Sequence, residues 1–231
     1  MPFMKYLAQD FDLMSFITVA ENVGKYLSNF FPEDKQARIS ELLEIVEMTE
    51  YANVKAKFLS GGQMQRVAIA RVLALEPEVL LLDEPFSHID NFRKNSLRRK
   101  LFGYLKEQQI TCIVATHDST DVLAFADEVA IIKEGKIVES GIPKFIYGNP
   151  KDKYVASLFG DVNEIKINGE LKFVYPHQLK VVMNSDLKVE IVNSYFRGSH
   201  YLMEAKFENQ TLFFESDELL ENGEVVCLKI K

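Results

Sequence analysis

Two short apolar runs limit what this chain can fold into. The first covers Val79 to Leu82 and the second Thr111 to Ala115, and neither alternates between apolar and polar residues. Such runs are typical of parallel strands that are covered on both faces. Parallel strands need long connections between them, usually helical, and the charged segment from Asn91 to Gln108 suits that purpose. We therefore predict an α/β fold in which both strands are covered on both faces.

Further helices flank these strands. Apolar residues recur at helical spacing between Glu33 and Tyr51, and a second helix begins at Gly61 and ends at Glu76, before Pro77. The second helix is apolar on more than one side, so we expect it to be buried. A helix from Thr120 to Ala126 then leads to a hairpin that starts at Val129 and returns through Ile137 and Val138.

The character of the chain changes after Pro150. From Asp161 onward, short alternating segments are separated by pairs such as Asn-Gly and Arg-Gly, which favour turns. We assign residues 1–158 to the α/β domain and residues 161–231 to a small all-β domain. Its seven predicted strands are Glu164 to Ile167, Leu171 to Val174, Leu179 to Met183, Lys188 to Ser194, Tyr201 to Phe207, Thr211 to Glu215 and Val225 to Ile230.

Composition excludes several classes of function. The net charge is -7 and the basic residues are scattered, so we expect no nucleic-acid partner. Every long apolar stretch is interrupted before the roughly 20 residues that span a bilayer, so any membrane role requires a partner. Cys112 and Cys227 are too few and too far apart for a disulfide framework, which fits a reduced, cytoplasmic setting.

Polar residues follow both apolar runs at the point where each predicted strand ends. Asp83 and Glu84 follow the first, and His117 comes shortly after the second. Ligands of open α/β sheets bind beyond the carboxyl ends of the strands, and phosphoryl transfer needs one group to hold magnesium and another to orient the attacking water. Taken alone, the carboxylate pair is more often an ordinary strand exit, and a lone histidine is more often structural.

A third element points to phosphate as well. Ser60, Gly61, Gly62 and Gln63 place a hydroxyl and bare backbone N–H groups at the start of a helix, where the helix dipole favours an anion. The two glycines allow a phosphate to approach the backbone closely. A simple serine cap would explain Ser60 but not the whole string Leu-Ser-Gly-Gly-Gln-Met-Gln-Arg.

Taken in order, these motifs resemble the nucleotide-binding domain of ATP-binding cassette (ABC) transporters. They are LSGGQMQR at 59–66, LLLDEP at 80–85, Ser-His-Ile-Asp at 87–90 and Thr-His-Asp at 116–118. The resemblance implies a truncated P-loop NTPase (RecA-like) parallel sheet with a helical signature subdomain, followed by a small all-β, OB-like domain. The chain would then be the ATP-hydrolysing subunit of an importer.

The resemblance also implies roles for individual residues, with ATP and magnesium as ligands. Gln9 and Asp83 would contact the magnesium, and Glu84 and His117 would act in hydrolysis. Asp90 would contact a second cassette, and Ser60, Gly61, Gly62 and Gln63 would form the signature that closes on the nucleotide of that cassette. The other partner would be a transmembrane permease, which would hold the chain at the cytoplasmic face of the membrane.

The sequence assigns no chemical role to the remaining histidines. The β segment is similar, more weakly, to the TOBE appendage of importer ATPases, and either a packing or a sensing role would suit it. His177 and His200 stand alone within it, without the spacing of metal ligands, and His88 stands where the family has a small or amide residue.

One motif of the family is absent from the 231 residues. No G-x-x-x-x-G-K-[S/T] occurs, although this loop holds the nucleotide phosphates and precedes the glutamine loop in the family. We expect Met1 to be an internal residue of a longer reading frame. The alternative is a catalytically silent cassette that supplies its signature or a regulatory surface to a complete partner. In either case we expect an open, apolar strand edge beside Cys112 to Thr116.

Overall fold

A computed structural model describes residues 3–7, 11–167 and 169–231, without the side chain of Ile167. The chain divides into two compact units, Met1–Asp121 and Val122–Lys231.

The first unit is built on a three-stranded parallel sheet. Its strands are β1 (Met4–Leu7), β2 (Val79–Asp83) and β3 (Thr111–Ala115), in the order β1-β2-β3. Leu81 lies opposite Ile113, and Asp83 lies opposite Ala115. The carboxyl ends of all three strands therefore meet at one edge of the sheet, as the sequence predicted for β2 and β3.

Helices supply the core of this unit. Its most buried helix is α3, in which Val67, Ala68 and Ile69 are fully buried, so the predicted burial is confirmed. The helices are α1 (Val19–Val23), α2 (Pro32–Ile45), α3 (Gly61–Leu73), α4 (Asn91–Glu107) and α5 (Ser119–Phe125), and α5 runs across the boundary into the second unit.

Two predictions about this unit were wrong. Helix α2 ends at Ile45 rather than Tyr51, because Glu47 adopts a left-handed φ of 55° and the Met48 N–H turns back to the Leu43 carbonyl. Strand β3 is not covered on both faces, since alternate residues face opposite sides and Ile113 is 61% exposed. Among the described strands, β3 is an edge of its sheet, as expected for this segment.

The second unit begins with a hairpin and two short helices and continues as an antiparallel β structure. A five-stranded sheet has the order β11-β10-β9-β12-β8, and β6 pairs with β7 in a separate hairpin. All seven predicted strands are confirmed. The elements are β4 (Val129–Lys133), β5 (Lys136–Gly141), α6 (Pro143–Gly148), α7 (Lys153–Ser157), β6 (Asn163–Ile167), β7 (Glu170–Val174), β8 (Leu179–Val182), β9 (Leu187–Phe196), β10 (Tyr201–Phe207), β11 (Gln210–Ser216) and β12 (Val225–Ile230).

An aromatic stack joins the short helices of this unit to its strands. The rings of Tyr147 and Tyr175 are parallel with centroids 4.4 Å apart, and the Tyr175 hydroxyl donates to the Ala156 carbonyl. Tyr175 is buried, so α6 and α7 pack closely against the β structure. The division into residues 1–158 and 161–231 stays a prediction, and these contacts cross it.

Candidate functional site

The two candidate carboxylates stand at the carboxyl end of β2. Asp83 is the last residue of the strand and is half-buried. Glu84 follows with a left-handed φ of 48°, and its N–H donates to the Ala115 carbonyl at the end of β3. Because the chain turns sharply here, the Glu84 carboxylate points toward the segment that follows β3.

His117 meets this carboxylate. Its Nδ1 lies 2.6 Å from the Glu84 Oε1, and since a carboxylate only accepts, Nδ1 is the donor. The imidazole is 83% exposed, against 23% for the Glu84 side chain. The hydrogen bond and the charge of Glu84 raise the pKa of His117. Glu84 and His117, which are 33 positions apart in the sequence, are thus in direct contact. Both are expected from the family resemblance to act in hydrolysis.

A buried arginine lies behind this pair. Arg98 of α4 contacts two carboxylates at once, with its Nη2 2.5 Å from Asp118 and its Nε 2.5 Å from Asp121. A cavity of about 80 Å³ lies here, and its lining includes Glu84, His117 and all three of these residues. Arg98 was not predicted, because a charged residue in a charged helix gives no sign of burial.

The signature residues form the start of α3. The Ser60 hydroxyl accepts a hydrogen bond from the Gln63 N–H at 3.3 Å, and the Gln63 side chain accepts one from the Ser60 N–H at 2.9 Å. This reciprocal cap satisfies two groups of the first turn. Gly61 and Gly62 occupy the first two helical positions, where backbone N–H groups have no partner within the helix.

The signature helix contacts the loop that follows Glu84. Gln65 is 2% exposed; its Nε2 donates to the Glu84 carbonyl at 2.8 Å, and its Oε1 accepts from the His88 N–H at 3.2 Å. A Cβ on Gly62 would lie only 2.5 Å from the His88 carbonyl oxygen. Gln65 was also missed, although a glutamine among the apolar residues of a buried helix is a usable signal.

Two further sequence candidates have different outcomes. Asp90 is the N-cap of α4, where its Oδ1 accepts from the Arg93 N–H at 3.0 Å. Gln9 lies outside the described residues. The segment just after it is held by the signature helix, since Arg71 donates to the carbonyls of Phe11 and Asp12. The contact of Asp90 with a second cassette stays a prediction.

The residues present suit a magnesium ion that is shared with a nucleotide. Asp83 supplies a carboxylate, the hard oxygen ligand that Mg²⁺ prefers, and no hydrogen bond or ion pair of this side chain is found within the described part of the chain. No group of three or more His, Cys, Asp or Glu residues that could hold a metal occurs among the described residues. Mg²⁺ typically binds through one or two carboxylates plus substrate phosphates, so this sparse donor set fits.

Comparison with known proteins decides the family. The ABC transporter family model matches residues 3–87. The chain is 40% identical over 159 residues to the Fe(3+) ions import ATP-binding protein FbpC of Pseudomonas fluorescens, which covers 68% of this chain and 44% of that protein. Residues 3–87 therefore belong to the ABC transporter family. The chain is also 32% identical to the sulfate/thiosulfate import ATP-binding protein CysA of Mesostigma viride, over 97% of this chain and 65% of that protein.

Solved ABC structures agree with the fold. The dimeric post-hydrolysis state of the cassette MJ0796, bound to ADP and Pi, matches with a TM-score of 0.55 and 31% identity, over 62% of this chain and 63% of that one. The chain spans less than half the length of the FbpC proteins it matches first. The matched family region contains Ser60 to Gln63, Asp83 and Glu84, whereas Asp90 and His117 lie beyond it. None of its described helices is long and apolar enough to cross a membrane.

Proposed function

We propose that this chain is part of the ATP-binding subunit of an ABC import system, in which ATP hydrolysis drives transport of a solute across a membrane. The observation that carries the proposal is the hydrogen bond between Glu84 and His117, next to Asp83 at the carboxyl edge of the parallel sheet. Relatives named for the import of ferric ions, sulfate or glucose support the direction of transport. Because their solutes differ, the proposal concerns the ATPase and assigns the solute to the permease.

The proposed roles follow from the chemistry of each group. Glu84 is the general base that accepts a proton from the attacking water. The Nδ1–H of His117 orients this carboxylate. Asp83, together with Gln9, holds Mg²⁺, which when bound neutralises charge on the nucleotide phosphates.

The proposed partners are a second cassette and a transmembrane permease. The first turn of α3 offers N–H groups and a positive helix end, which suits a phosphate of the nucleotide in the second cassette. Asp90 lies at the start of α4 and contacts that cassette in this proposal. The permease holds the chain at the cytoplasmic face of the membrane.

A second candidate is a catalytically silent cassette that completes the site of its partner. The observation that favours it is the absence of G-x-x-x-x-G-K-[S/T] within the 231 residues, combined with a fully formed signature helix. In that case the hydrolysing carboxylates belong to the partner, and Ser60 to Gln63 are the residues that matter. In the first candidate the phosphate-binding loop comes from residues beyond these 231.

Three substitutions separate the candidates. Each is introduced into the chromosomal gene, the native assembly is purified through a tag, and ATP hydrolysis is measured. If this chain hydrolyses ATP, Glu84→Gln lowers turnover by about 10²–10⁴-fold, the usual contribution of a general base. Glu78→Gln is the matched control, because Glu78 is exposed and immediately precedes β2, and it leaves turnover unchanged.

Ser60→Arg provides the second comparison. It blocks the first turn of α3 with a long cationic side chain and abolishes turnover under either candidate. If Glu84→Gln has no effect while Ser60→Arg abolishes turnover, the chain is the silent partner. If neither substitution changes turnover, both candidates are overturned.

A further inference from the structure

The orientation of the exposed His117 imidazole needs an explanation. The imidazole is 83% exposed, so packing does not fix its orientation. Three charged groups face it: Glu84, Asp118 and Lys94. Among the described residues, only Glu84 forms a hydrogen bond with the ring, and a single surface pair of this kind contributes little. The orientation of His117 must therefore come from its neighbours in the chain.

Those neighbours are fixed on both sides. The Thr116 hydroxyl donates to Asp121 at 2.8 Å and accepts from the Asp118 N–H at 3.0 Å. The Asp118 carboxylate also accepts from the Thr120 N–H at 2.9 Å. Hydrogen bonds thus connect the loop after β3 with the first turn of α5 around the two aspartates, and His117 projects from this loop.

Arg98 is the group that holds both aspartates. Its guanidinium is buried, with 3% of the side chain exposed, and each of its two contacts spans 2.5 Å. The planar guanidinium presents its N–H groups in a rigid fork: Nη2 donates a hydrogen bond to Asp118, and Nε forms an ion pair with Asp121. Lys94, one turn earlier on α4, adds a weaker contact with Asp118 at 4.0 Å.

The same guanidinium also touches the segment that carries Glu84. The Cζ atom of Arg98 lies 5.4 Å from the centre of the Phe86 ring. This buried ring packs edge-on against Phe102. Phe86 follows Glu84 by two residues. One buried side chain therefore contacts both segments that present the pair.

We propose that Arg98 is the positioning residue of the Glu84–His117 pair, fixing the loop that presents His117 and packing on Phe86 so that the imidazole meets the carboxylate. Arg98 itself does not touch the reacting groups. The inference rests on the proposed roles of Glu84 and His117 in hydrolysis for its functional meaning. The experiment below measures the interaction of His117 with Glu84 and not ATP hydrolysis, so a failure of the proposed function would not be mistaken for a failure of this inference.

The test is an NMR titration of the histidine rings in the full 231-residue chain. The ring signal of His117 is assigned by its loss in His117→Gln, and its titration midpoint is followed between pH 5 and 9. Glu84→Gln provides the reference for an imidazole without its partner. We expect Arg98→Lys to lower the midpoint by most of the shift that Glu84→Gln produces, because lysine retains the charge but lacks the rigid fork that fixes both aspartates.

Arg99→Lys is the matched control, since Arg99 is the exposed neighbour on the same helix, and it should leave the midpoint of His117 unchanged. Far-UV circular dichroism verifies folding of every variant. If Arg98→Lys does not fold, Asp121→Asn is used. This substitution removes one of the two carboxylates that Arg98 contacts and should lower the His117 midpoint in the same way. A folded Arg98 or Asp121 variant whose His117 midpoint equals that of the wild type overturns the proposal. So does an equal shift in Arg99→Lys.

Discussion

At the scale of single residues, the two signature glycines have different surroundings. A Cβ on Gly62 would lie 2.5 Å from the backbone oxygen of His88, which cannot move aside as a side chain can. On Gly61 it would meet only side-chain atoms of His88, at 3.9 Å or more. The close approach of helix and loop thus depends on Gly62 alone.

We therefore expect Gly62→Ala to lower the free energy of unfolding by about 1–3 kcal/mol, the usual effect of overpacking. Gly61→Ala should be neutral or stabilising by up to about 1 kcal/mol, because alanine favours the helix. Urea unfolding of both variants measures the difference. Equal effects would mean that the loop moves freely away from α3.

Cys112 offers a second test at this scale. It lies in β3, and burial raises the pKa of its thiol to about 12. Because only the thiolate is the nucleophile, we expect iodoacetamide at pH 8 to leave Cys112 unmodified for hours in the native chain. In urea it should be modified within minutes, and mass spectrometry of the peptide that contains Cys112 distinguishes the two. Rapid modification of the native chain would show that β3 opens readily.

At the scale of elements, Gln65 connects α3 with the loop after β2. Its amide donates to the Glu84 carbonyl, which also accepts from Ser87, and it is the acceptor of the His88 N–H. A polar group that loses its partner inside the protein costs about 1–3 kcal/mol. We expect Gln65→Met, which has a similar volume and no amide, to lower the free energy of unfolding by this amount. Gln65→Glu keeps the acceptor for the His88 N–H and loses the donor to the Glu84 carbonyl. Its unfolding therefore measures the contribution of one hydrogen bond without the other. If Gln65→Met unfolds at the wild-type urea concentration, the link is not structural.

The sequence predicts the elements of this fold well and their side-chain contacts poorly. The apolar run before Asp83 identifies β2, and turn pairs such as Asn222-Gly223 delimit the terminal strands, because both signals are local. The contact between Glu84 and His117 follows from parallel strands that end at one edge. The clamp by Arg98 does not follow, since it joins α4 to a loop 20 residues away and only tertiary packing makes a charged residue buried.

The same distinction explains the errors. Continuous apolar runs predict strands that are covered on both faces, yet the exposed Ile113 shows that an apolar strand in this unit has one uncovered side. Helix α2 was extended to Tyr51 because apolar spacing continues past Ile45. The left-handed turn at Glu47 has no apolar signature, so periodicity alone could not locate the end of the helix.

At the scale of the whole molecule, the question is where the β structure begins as a folding unit. The change in composition after Pro150 suggested a boundary between residues 158 and 161. The chain also divides into two compact units after Asp121, and the boundary near residue 160 stays a prediction. The aromatic stack between Tyr147 and Tyr175 and the ion pair between Lys153 and Glu164 lie within the second unit and cross the earlier boundary.

Two fragments test these boundaries. We expect residues 122–231 to melt at a higher temperature than residues 161–231, because the shorter fragment loses the ring that stacks on Tyr175 and the carbonyl of Ala156 that its hydroxyl binds. A stacked pair contributes about 0.5–1.5 kcal/mol beyond its buried area, and in domains of this size each kcal/mol shifts the melting temperature by about 4–8 °C. Tyr147→Ala in the longer fragment should lower the melting temperature by part of this difference. Tyr195→Ala, on the partly exposed end of β9, should lower the melting temperature less. Equal melting temperatures for the two fragments would place the boundary near residue 160 and leave α6 and α7 outside the β domain.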